Sequence, residues 1–282
     1  MNILLLGKTG QLGFELQRTL SPFGRIVAPA RAELDLANAQ EVSDYLAQVR
    51  PNIIVNAAAW TAVDAAETQQ AEAKRLNADL PEQLAKYAAV NNIRLVHYSS
   101  DYVYSGAGII PWQENSPTAP LNVYGETKLQ GDEAIQYSGS DYLIFRTSWV
   151  YSARGKNFMK TMLHLAESKS ELNIISDQFG APTPARLIAQ ITALAIHSKL
   201  KTGLYHLAPA GQISWYGFAK EIFRLAGKSI KVNSIQTSDY PTLAIRPLNS
   251  RMDLTKLQQA LNIQLPNWQN QLELTLNEYL EQ

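Results

Sequence analysis

Apolar runs alternate with helix-like segments along the first half of the chain. Short apolar runs typical of buried strands occur at residues 2–7, 25–30, 52–59, 94–100 and 142–150. Segments with helical apolar spacing, helix caps or helix-forming composition lie between them, at 11–20, 38–49, 65–90 and 122–137. This alternation predicts an α/β fold with a doubly wound parallel sheet of the Rossmann type.

The pattern loosens after Val150. Strands are predicted at 172–177 and 203–209, and helices at 156–168, 184–198, 215–226, 253–261 and 268–281. We therefore expect a dinucleotide-binding domain over residues 1–150 and a smaller α+β substrate-binding domain over 151–282. Residues from about 184 to 209 are expected to rejoin the first domain's sheet.

Composition narrows the class of protein. The 282 residues are 46% hydrophobic and 18% charged, which is ordinary for a globular protein of one large domain or two. The formal net charge is zero, so neither nucleic acid nor a membrane surface is expected as a partner. The absence of cysteine excludes disulfides and thiol catalysis and fits a cytoplasmic protein. We expect no signal peptide and no membrane-spanning segment.

A glycine-rich turn, GKTGQLG, follows the first predicted strand and opens the first predicted helix. Glycine permits tight turns and close backbone approach, and a helix N-terminus offers free N–H groups to a pyrophosphate. This context favours a dinucleotide site over a tight turn without a ligand. The expected cofactor contacts in the turn are Gly7, Gly10, Gln11, Leu12 and Gly13.

The ends of the next two strands also bear on the cofactor. The second strand ends at Arg31, where an acidic residue would favour NAD. Arg31 either engages the 2′-phosphate of NADPH or is an exposed arginine, and both readings stay open. Asp35 and Leu36 follow where adenine is often contacted in such folds. The third strand ends in small residues that leave room for a flat cofactor or for tight helix packing: Ala57, Ala58 and Ala59.

The stretch YGETK places Tyr124 and Lys128 one helical turn apart, and Ser100 ends the fourth predicted strand. A nearby ammonium is expected to lower the tyrosine pKa from about 10, so that the phenol exchanges a proton near neutrality. Ser100 and Tyr124 can then hydrogen-bond a substrate carbonyl while hydride reaches its carbon. Together with the glycine turn, these residues predict a carbonyl reductase. His97 lies in an apolar run and is predicted to be a core residue.

These motifs resemble the extended short-chain dehydrogenases/reductases, most closely those that reduce dTDP-linked keto sugars. The resemblance implies reduction of the C4 ketone of dTDP-4-dehydro-β-L-rhamnose to dTDP-L-rhamnose, with NADPH or NADH as cofactor. This reaction is a step of rhamnose and polysaccharide biosynthesis. The matching stretches span residues 2–257 and include GKTGQLGFELQ, NAAAWTAVDAAE, HYSSDYVYSG, YGETKLQGDE, RTSWVYS, GKNFMKTM, DQFGAPTPA and RPLNSRMDLTKL.

Residue roles follow from the resemblance. It implies that Tyr124 is the proton donor and that Lys128 tunes it and contacts the ribose. Ser100 stands where the family usually has threonine, which keeps the hydroxyl. The implied substrate contacts are Ser100, Asp101, Tyr102, Trp149 and, toward the diphosphate, Arg246. Without a substrate, Trp149 would be read as a core aromatic and Arg246 as a surface charge.

The resemblance also bears on metal and assembly. Some members of the family dimerise around Mg²⁺ held by interface glutamates, and Glu15 matches one such position. After GAPT, Arg186 replaces the aligned acid and would repel Mg²⁺. We therefore expect no metal site, catalysis without Mg²⁺, and a monomer or a homodimer formed by other contacts.

Two alternative functions stay open at this point. One is another nucleotide-sugar reductase, epimerase or dehydratase of the same superfamily, although no glutamate follows Asp101 as a dehydratase would favour. The other is a non-catalytic regulatory subunit resembling that of methionine adenosyltransferase. The intact set of Ser100, Tyr124 and Lys128 with Trp149 favours an enzyme.

Overall fold

The computed structural model of the protein describes residues 1–281. Strands in this range are β1 (Asn2–Leu6), β2 (Arg25–Val27), β3 (Ile53–Asn56), β4 (Arg94–Ser100), β5 (Asp141–Thr147), β6 (Val150–Tyr151), β7 (Glu171–Ile175), β8 (Phe179–Gly180), β9 (Thr183–Pro184), β10 (Gly203–His206), β11 (Ile213–Ser214) and β12 (Lys231–Ile235). Helices are α1 (Gln11–Thr19), α2 (Ala39–Val49), α3 (Val63–Ala66), α4 (Gln70–Lys74), α5 (Leu80–Asn91), α6 (Val123–Tyr137), α7 (Phe158–Leu165), α8 (Ala185–His197), α9 (Trp215–Leu225), α10 (Thr255–Leu261) and α11 (Trp268–Leu280).

Six parallel strands form the main sheet, in the order β10-β5-β4-β3-β1-β2. Successive residues of β1 point to opposite faces: Leu5 packs in the core layer that includes α1 and α8, and Leu4 in the layer that includes α2 and α5. Helices cover both faces, which explains why the strands are continuous apolar runs. The predicted doubly wound α/β fold is confirmed.

The direction of the strand order reverses beside β1, between the connection to β2 and the connection to β3. In open parallel sheets, ligands bind at the carboxyl ends of the strands, where such a reversal opens a crevice. The strands are shorter than predicted at this edge. β3 ends at Asn56 and β5 at Thr147, because the chain leaves the ladder there to form the loops of the crevice.

The predicted helix over 65–90 is interrupted. It consists of α3, α4, a π-helical segment (Arg75–Asp79) and α5. Pro81 lacks the N–H that would bond the Asn77 carbonyl in a regular helix. That carbonyl packs against Gly131 of α6, where an added Cβ would lie 2.1 Å from the Asn77 oxygen. The irregular turn therefore lets α6 approach closely.

A smaller cluster forms around the second half of the chain. Tyr151, Phe218 and Trp268 pack together there, and β7 pairs in parallel with β12. The sequence did not predict β12, because KVNSI is short and only half buried. Helix α8 packs on α1 and β10 pairs with β5, which supports the predicted return of residues 184–209 to the sheet. The domain limits themselves stay a prediction.

Within residues 1–281, no helix is both long enough and apolar enough to span a membrane.

Candidate active site

The glycine turn between β1 and α1 forms a close-packed cradle. Gly7 has a left-handed φ of +84°, and a Cβ there would lie 2.7 Å from the Ala57 backbone. A Cβ on Gly13 would lie 2.0 Å from the Gly7 carbonyl oxygen. Gly10 is the N-cap of α1, and no side chain in the described part of the chain caps that helix. The free N–H groups and the tight turn fit a pyrophosphate.

Gln11 and Leu12 have structural contacts as well as their place in the turn. The Gln11 Oε1 accepts hydrogen bonds from Ser152 Oγ at 3.1 Å and from Asn157 Nδ2 at 2.9 Å. Gln11 therefore ties the glycine turn to the loop after β6. Leu12 packs on the core layer beneath α1. Any cofactor contact at these positions is expected through their backbone N–H groups.

The alanines predicted to face the cofactor lie half-buried just beyond the end of β3. They are anchored by Asn77, which the sequence analysis did not single out. Its Oδ1 accepts from Trp60 N at 2.9 Å, and its Nδ2 donates to Trp60 O and to Thr127 Oγ1 of α6. This amide holds the segment with Ala57, Ala58 and Ala59 against the helix that carries Tyr124 and Lys128.

The segment after β2 carries charges of both signs. The strand ends at Val27, and not at Arg31 as predicted, so Arg31 lies in the following loop. Arg31 is exposed, and Asp35 and Leu36 are half-buried. Glu33, which the sequence analysis did not consider, accepts hydrogen bonds from the Ala30 backbone N–H and from Lys8 Nζ of the glycine turn. These bonds, the backbone one foremost, lower the Glu33 pKa. An acid therefore follows Arg31 in the same loop and is tied to the glycine turn through Lys8.

Ser100 and Tyr124 meet at the carboxyl end of β4. Ser100 Oγ donates to Asp101 Oδ1 at 3.1 Å and accepts from Tyr102 N at 3.2 Å. The Tyr124 ring lies edge-on to Tyr102, with 5.4 Å between ring centroids. The next residue is Gly125, where a Cβ would lie 2.2 Å from the Tyr102 carbonyl oxygen. Glycine at this point lets α6 approach the end of β4, and the Ser100 hydroxyl lies near the Tyr124 phenol.

The prediction that the Tyr124 pKa lies below its ordinary value is wrong for this structure. Lys128 is buried, and its Nζ donates to Tyr98 O at 2.6 Å and lies 3.3 Å from His97 Nε2. Burial raises the pKa of Tyr124 to about 12, against a smaller lowering by the adjacent Ser100 hydroxyl. Burial also lowers the pKa of Lys128 to about 8. The lysine nitrogen is held by β4, and burial rather than the ammonium sets the direction of the tyrosine shift.

Asp101 and Tyr102 follow Ser100 in a short 3₁₀ turn. Asp101 is buried, which raises its pKa to about 6, although hydrogen bonds from Ser250 and Ser100 oppose the shift. Burial also raises the pKa of Tyr102. Both side chains therefore lie in a poorly solvated part of the crevice, where a hydrogen bond to a ligand is stronger than in water.

Trp149 is neither a simple core residue nor an isolated aromatic. It has a left-handed φ of +51° just after β5, an uncommon conformation for a non-glycine residue. Its ring stacks on Trp215 of α9, with centroids 3.6 Å apart and planes at 14°. The half-buried pair forms an aromatic wall between the end of the main sheet and the second cluster.

Arg246 is paired within the chain. Its guanidinium donates to both carboxylate oxygens of Asp64, at 3.0 and 2.7 Å. Asp64 belongs to α3 and also accepts from Ala244 N at 3.1 Å. The arginine lowers the Asp64 pKa more than any other neighbour. Asp64 therefore holds Arg246, the predicted diphosphate contact, in place. Asp64 lies in the stretch NAAAWTAVDAAE but was not predicted as a site residue.

The residues weighed for a metal form an ion triad. Arg186 of α8 donates to both Glu15 oxygens, at 3.1 and 3.2 Å, and to Glu278 Oε1 of α11 at 2.9 Å. The Glu15 side chain is 6% exposed and the Arg186 side chain 45%, so the pair is buried on the carboxylate side only. Across residues 1–281, His, Asp and Glu side chains form no group of three that could hold a metal ion.

A parallel sheet with a phosphate cradle after β1, and a serine, a tyrosine and a lysine gathered at β4, defines the class of NAD(P)-dependent short-chain dehydrogenases/reductases. The family model described as RmlD substrate binding domain matches residues 1–281. The chain is 48% identical over 292 residues to dTDP-4-dehydrorhamnose reductase of Escherichia coli K12, covering 99% of this chain and 98% of that relative. The chain belongs to the dTDP-4-dehydrorhamnose reductase family.

Solved structures agree. The crystal structure of the Clostridium acetobutylicum dTDP-4-dehydrorhamnose reductase has a TM-score of 0.95 and 34% identity, covering 100% of both chains. That of the Bacillus anthracis reductase, in complex with NADP, has a TM-score of 0.94 and 33% identity, covering 98% of this chain and 99% of that one.

Proposed function

We propose that this protein reduces the C4 ketone of dTDP-4-dehydro-β-L-rhamnose to dTDP-L-rhamnose with NADPH. The Ser100 and Tyr124 hydroxyls carry the proposal, because they lie near each other at the same edge of the sheet as the glycine cradle and offer two hydrogen-bond donors to a carbonyl oxygen. The relatives' activity and the NADP complex of the B. anthracis reductase support the substrate and the cofactor.

The chain's own residues have distinct tasks in the reduction. The α1 N-terminus and the glycine turn hold the cofactor pyrophosphate. A nicotinamide held there would supply the hydride that C4 of the sugar receives. Ser100 turns its hydroxyl from Asp101 to donate a hydrogen bond to the ketone oxygen, and Tyr124 donates a second. Tyr124 then gives its proton to that oxygen as the C–O double bond becomes single. One hydride and one proton make the alcohol and leave a Tyr124 phenolate, which must regain a proton before the next turnover.

The raised pKa of Tyr124 suits a proton donor. At neutral pH the phenol is protonated, because its pKa is about 12. It gives up the proton only when negative charge develops on the substrate oxygen, so the proton is available at the moment of reaction. Lys128, one helical turn away, is the group proposed to support the phenolate once it forms.

The nucleotide-sugar end is proposed to lie along the aromatic wall and the nearby arginine. Trp149 and Trp215 offer a flat apolar surface for a sugar or base. Asp64 fixes the Arg246 guanidinium, which lies near Tyr102. The guanidinium can therefore bind a diphosphate while it stays paired with Asp64.

A substrate panel tests the function. Purified protein with NADPH should show loss of nicotinamide absorbance on addition of dTDP-4-dehydrorhamnose, with dTDP-L-rhamnose as product. UDP- and GDP-linked 4-keto sugars serve as comparisons. No turnover of any keto sugar, together with capture of a methionine adenosyltransferase by the protein, would instead favour the regulatory-subunit alternative.

Arg31 is proposed to read the 2′-phosphate, so NADPH should be used at least as well as NADH. Arg31→Ala should raise KM for NADPH about tenfold, the equivalent of one lost charged hydrogen bond, and spare NADH. Steady-state kinetics with both cofactors measure the ratio. Arg25→Ala, an exposed arginine at the opposite end of β2, is the matched control. Equal losses for both cofactors would remove Arg31 from this role, and the neighbouring Glu33 would become the candidate for ribose recognition.

Arg186 is proposed to fill the place of a metal ion with its own charge. Activity and molecular mass should be the same in EDTA and in excess Mg²⁺, whether the protein is a monomer or a homodimer. Arg186→Ala should lower Tm by about 2–4 °C, because Glu15 loses a half-exposed partner worth about 1 kcal/mol. Lys86→Ala, which breaks an exposed pair with Glu82, should leave Tm unchanged. Activity lost in EDTA and restored by Mg²⁺ would contradict the proposal.

A further inference from the structure

A buried line of polar groups runs beneath the proposed active site. Asn56 ends β3, His97 lies beside it in β4, and Lys128 reaches them from α6. Each residue is only 1% exposed. His97 is in the core, as the sequence predicted, yet both of its ring nitrogens have polar partners. The two partners hold the buried His97 in one protonation state, and that state affects which form of Lys128 is favoured.

The Asn56 amide has a fixed orientation. The Ala58 backbone N–H donates to Asn56 Oδ1 at 3.2 Å, so the amide oxygen must face Ala58. The amide nitrogen Nδ2 therefore faces His97 Nδ1, at 3.2 Å. An amide nitrogen donates and cannot accept, so His97 Nδ1 must be the acceptor and carries no proton.

The tautomer of His97 follows from Asn56. A neutral imidazole without a proton on Nδ1 carries it on Nε2, the nitrogen that lies 3.3 Å from Lys128 Nζ. An imidazolium would set an N–H against the Asn56 amide and a positive charge against Lys128. Burial and the nearby lysine accordingly lower the His97 pKa well below its ordinary value.

The Nε2–H of His97 then points at the lysine nitrogen. A neutral amine has a lone pair that accepts this hydrogen bond while the amine donates to Tyr98 O at 2.6 Å. An ammonium has no lone pair and would set N–H against N–H. We propose that His97, oriented by Asn56, is a positioning residue that favours the neutral amine of Lys128 and so sets the pH range over which Lys128 carries a proton.

Other charged and titratable groups near Lys128 also bear on its pKa. On its own helix, Asp132 favours the ammonium, but Asp132 also pairs with Arg146 of β5 at 2.9 Å. Tyr124, one turn earlier on α6, is protonated at neutral pH and carries no charge there. From the π-helical segment it is the neutral Asn77 that reaches α6. Burial prevails over Asp132, and the Lys128 pKa lies near 8.

A consequence for turnover rests on the proposed function. The Tyr124 phenolate left by proton transfer is stabilised by an ammonium at Lys128 and not by an amine. The reduction rate should therefore fall as pH rises through the Lys128 pKa. Any change that restores the ordinary lysine pKa should move this fall, the alkaline limb of the pH–rate profile, to higher pH.

The test measures the proton positions directly, without substrate. In protein labelled with ¹⁵N-histidine and ¹³C,¹⁵N-lysine, NMR should show His97 neutral with its proton on Nε2 at pH 7. Lys128, assigned by its absence in Lys128→Met, should titrate near pH 8, well below the ordinary value of about 10.4. A proton on Nδ1, or a Lys128 titration near the ordinary value, would overturn the proposal even if the enzyme reduces its substrate.

Two variants separate positioning from packing. In His97→Gln the amide oxygen can face Nζ, so the Lys128 pKa and the alkaline limb should both rise by about one unit or more, a tenfold change in acid dissociation. Asn56→Asp should reverse the His97 tautomer and shift Lys128 in the same direction. Thr192→Val is the control, because it removes a buried hydrogen bond to the Tyr98 phenol, on the other side of β4, and should move neither value. Folded variants with an unchanged Lys128 titration would refute the role of His97.

Discussion

Tyr124→Phe should reduce kcat by about 10²–10⁴, the usual contribution of a positioned general acid. The substitution removes the phenolic proton and keeps the ring, so the edge-on contact with Tyr102 survives. The affinity for NADPH and the melting temperature should stay near those of the wild-type protein. The lost phenolic group has a hydrogen-bonding neighbour in the Ser100 hydroxyl, which can still bond to Asp101. Steady-state kinetics with dTDP-4-dehydrorhamnose, cofactor titration and thermal unfolding measure the three quantities.

Tyr137→Phe is the matched control. Tyr137 ends the same helix and is 88% exposed, so the same chemical change there should leave kcat unaltered. Near wild-type turnover by Tyr124→Phe would remove Tyr124 from the mechanism. A large loss in both variants would indicate damage to α6 instead of a lost proton.

Lys128→Met should lower kcat by about 10²-fold and weaken NADPH binding about five- to tenfold. The first effect follows from loss of the charge that stabilises the Tyr124 phenolate. The second corresponds to one lost hydrogen bond to the cofactor ribose, worth about 1 kcal/mol. Methionine has a similar length and no charge, so it fills the buried site without leaving an ion unpaired.

Lys74→Met serves as the control for Lys128→Met. Lys74 is an exposed lysine on α4 whose ion pair with Asp79 is expected to contribute little. It should change neither kcat nor cofactor affinity. Unchanged NADPH binding in Lys128→Met, with reduced kcat, would confine the lysine to the proton chemistry and remove it from the ribose site.

The sequence by itself determined the architecture and the position of the crevice. Strands buried on both faces require continuous apolar runs, so β1, β3, β4 and β5 were predictable from the positions of the apolar residues alone. The glycines of the turn follow from local geometry, since Gly7 has a left-handed φ and a Cβ on Gly13 would meet the Gly7 carbonyl. The spacing of Tyr124 and Lys128 likewise needed only the helical repeat, and parallel strands bring their carboxyl ends to one edge.

The tertiary structure alone decided the partners and protonation states of these groups. Arg246 and Asp64 are 182 residues apart, and Glu15, Arg186 and Glu278 come from three helices, so no local pattern pairs them. The pKa of Tyr124 was predicted in the wrong direction for the same reason. Helical spacing places Lys128 one turn from the tyrosine, but packing against β4 directs its nitrogen to Tyr98 and His97. Burial, which depends on every neighbouring element at once, then sets both pKa values.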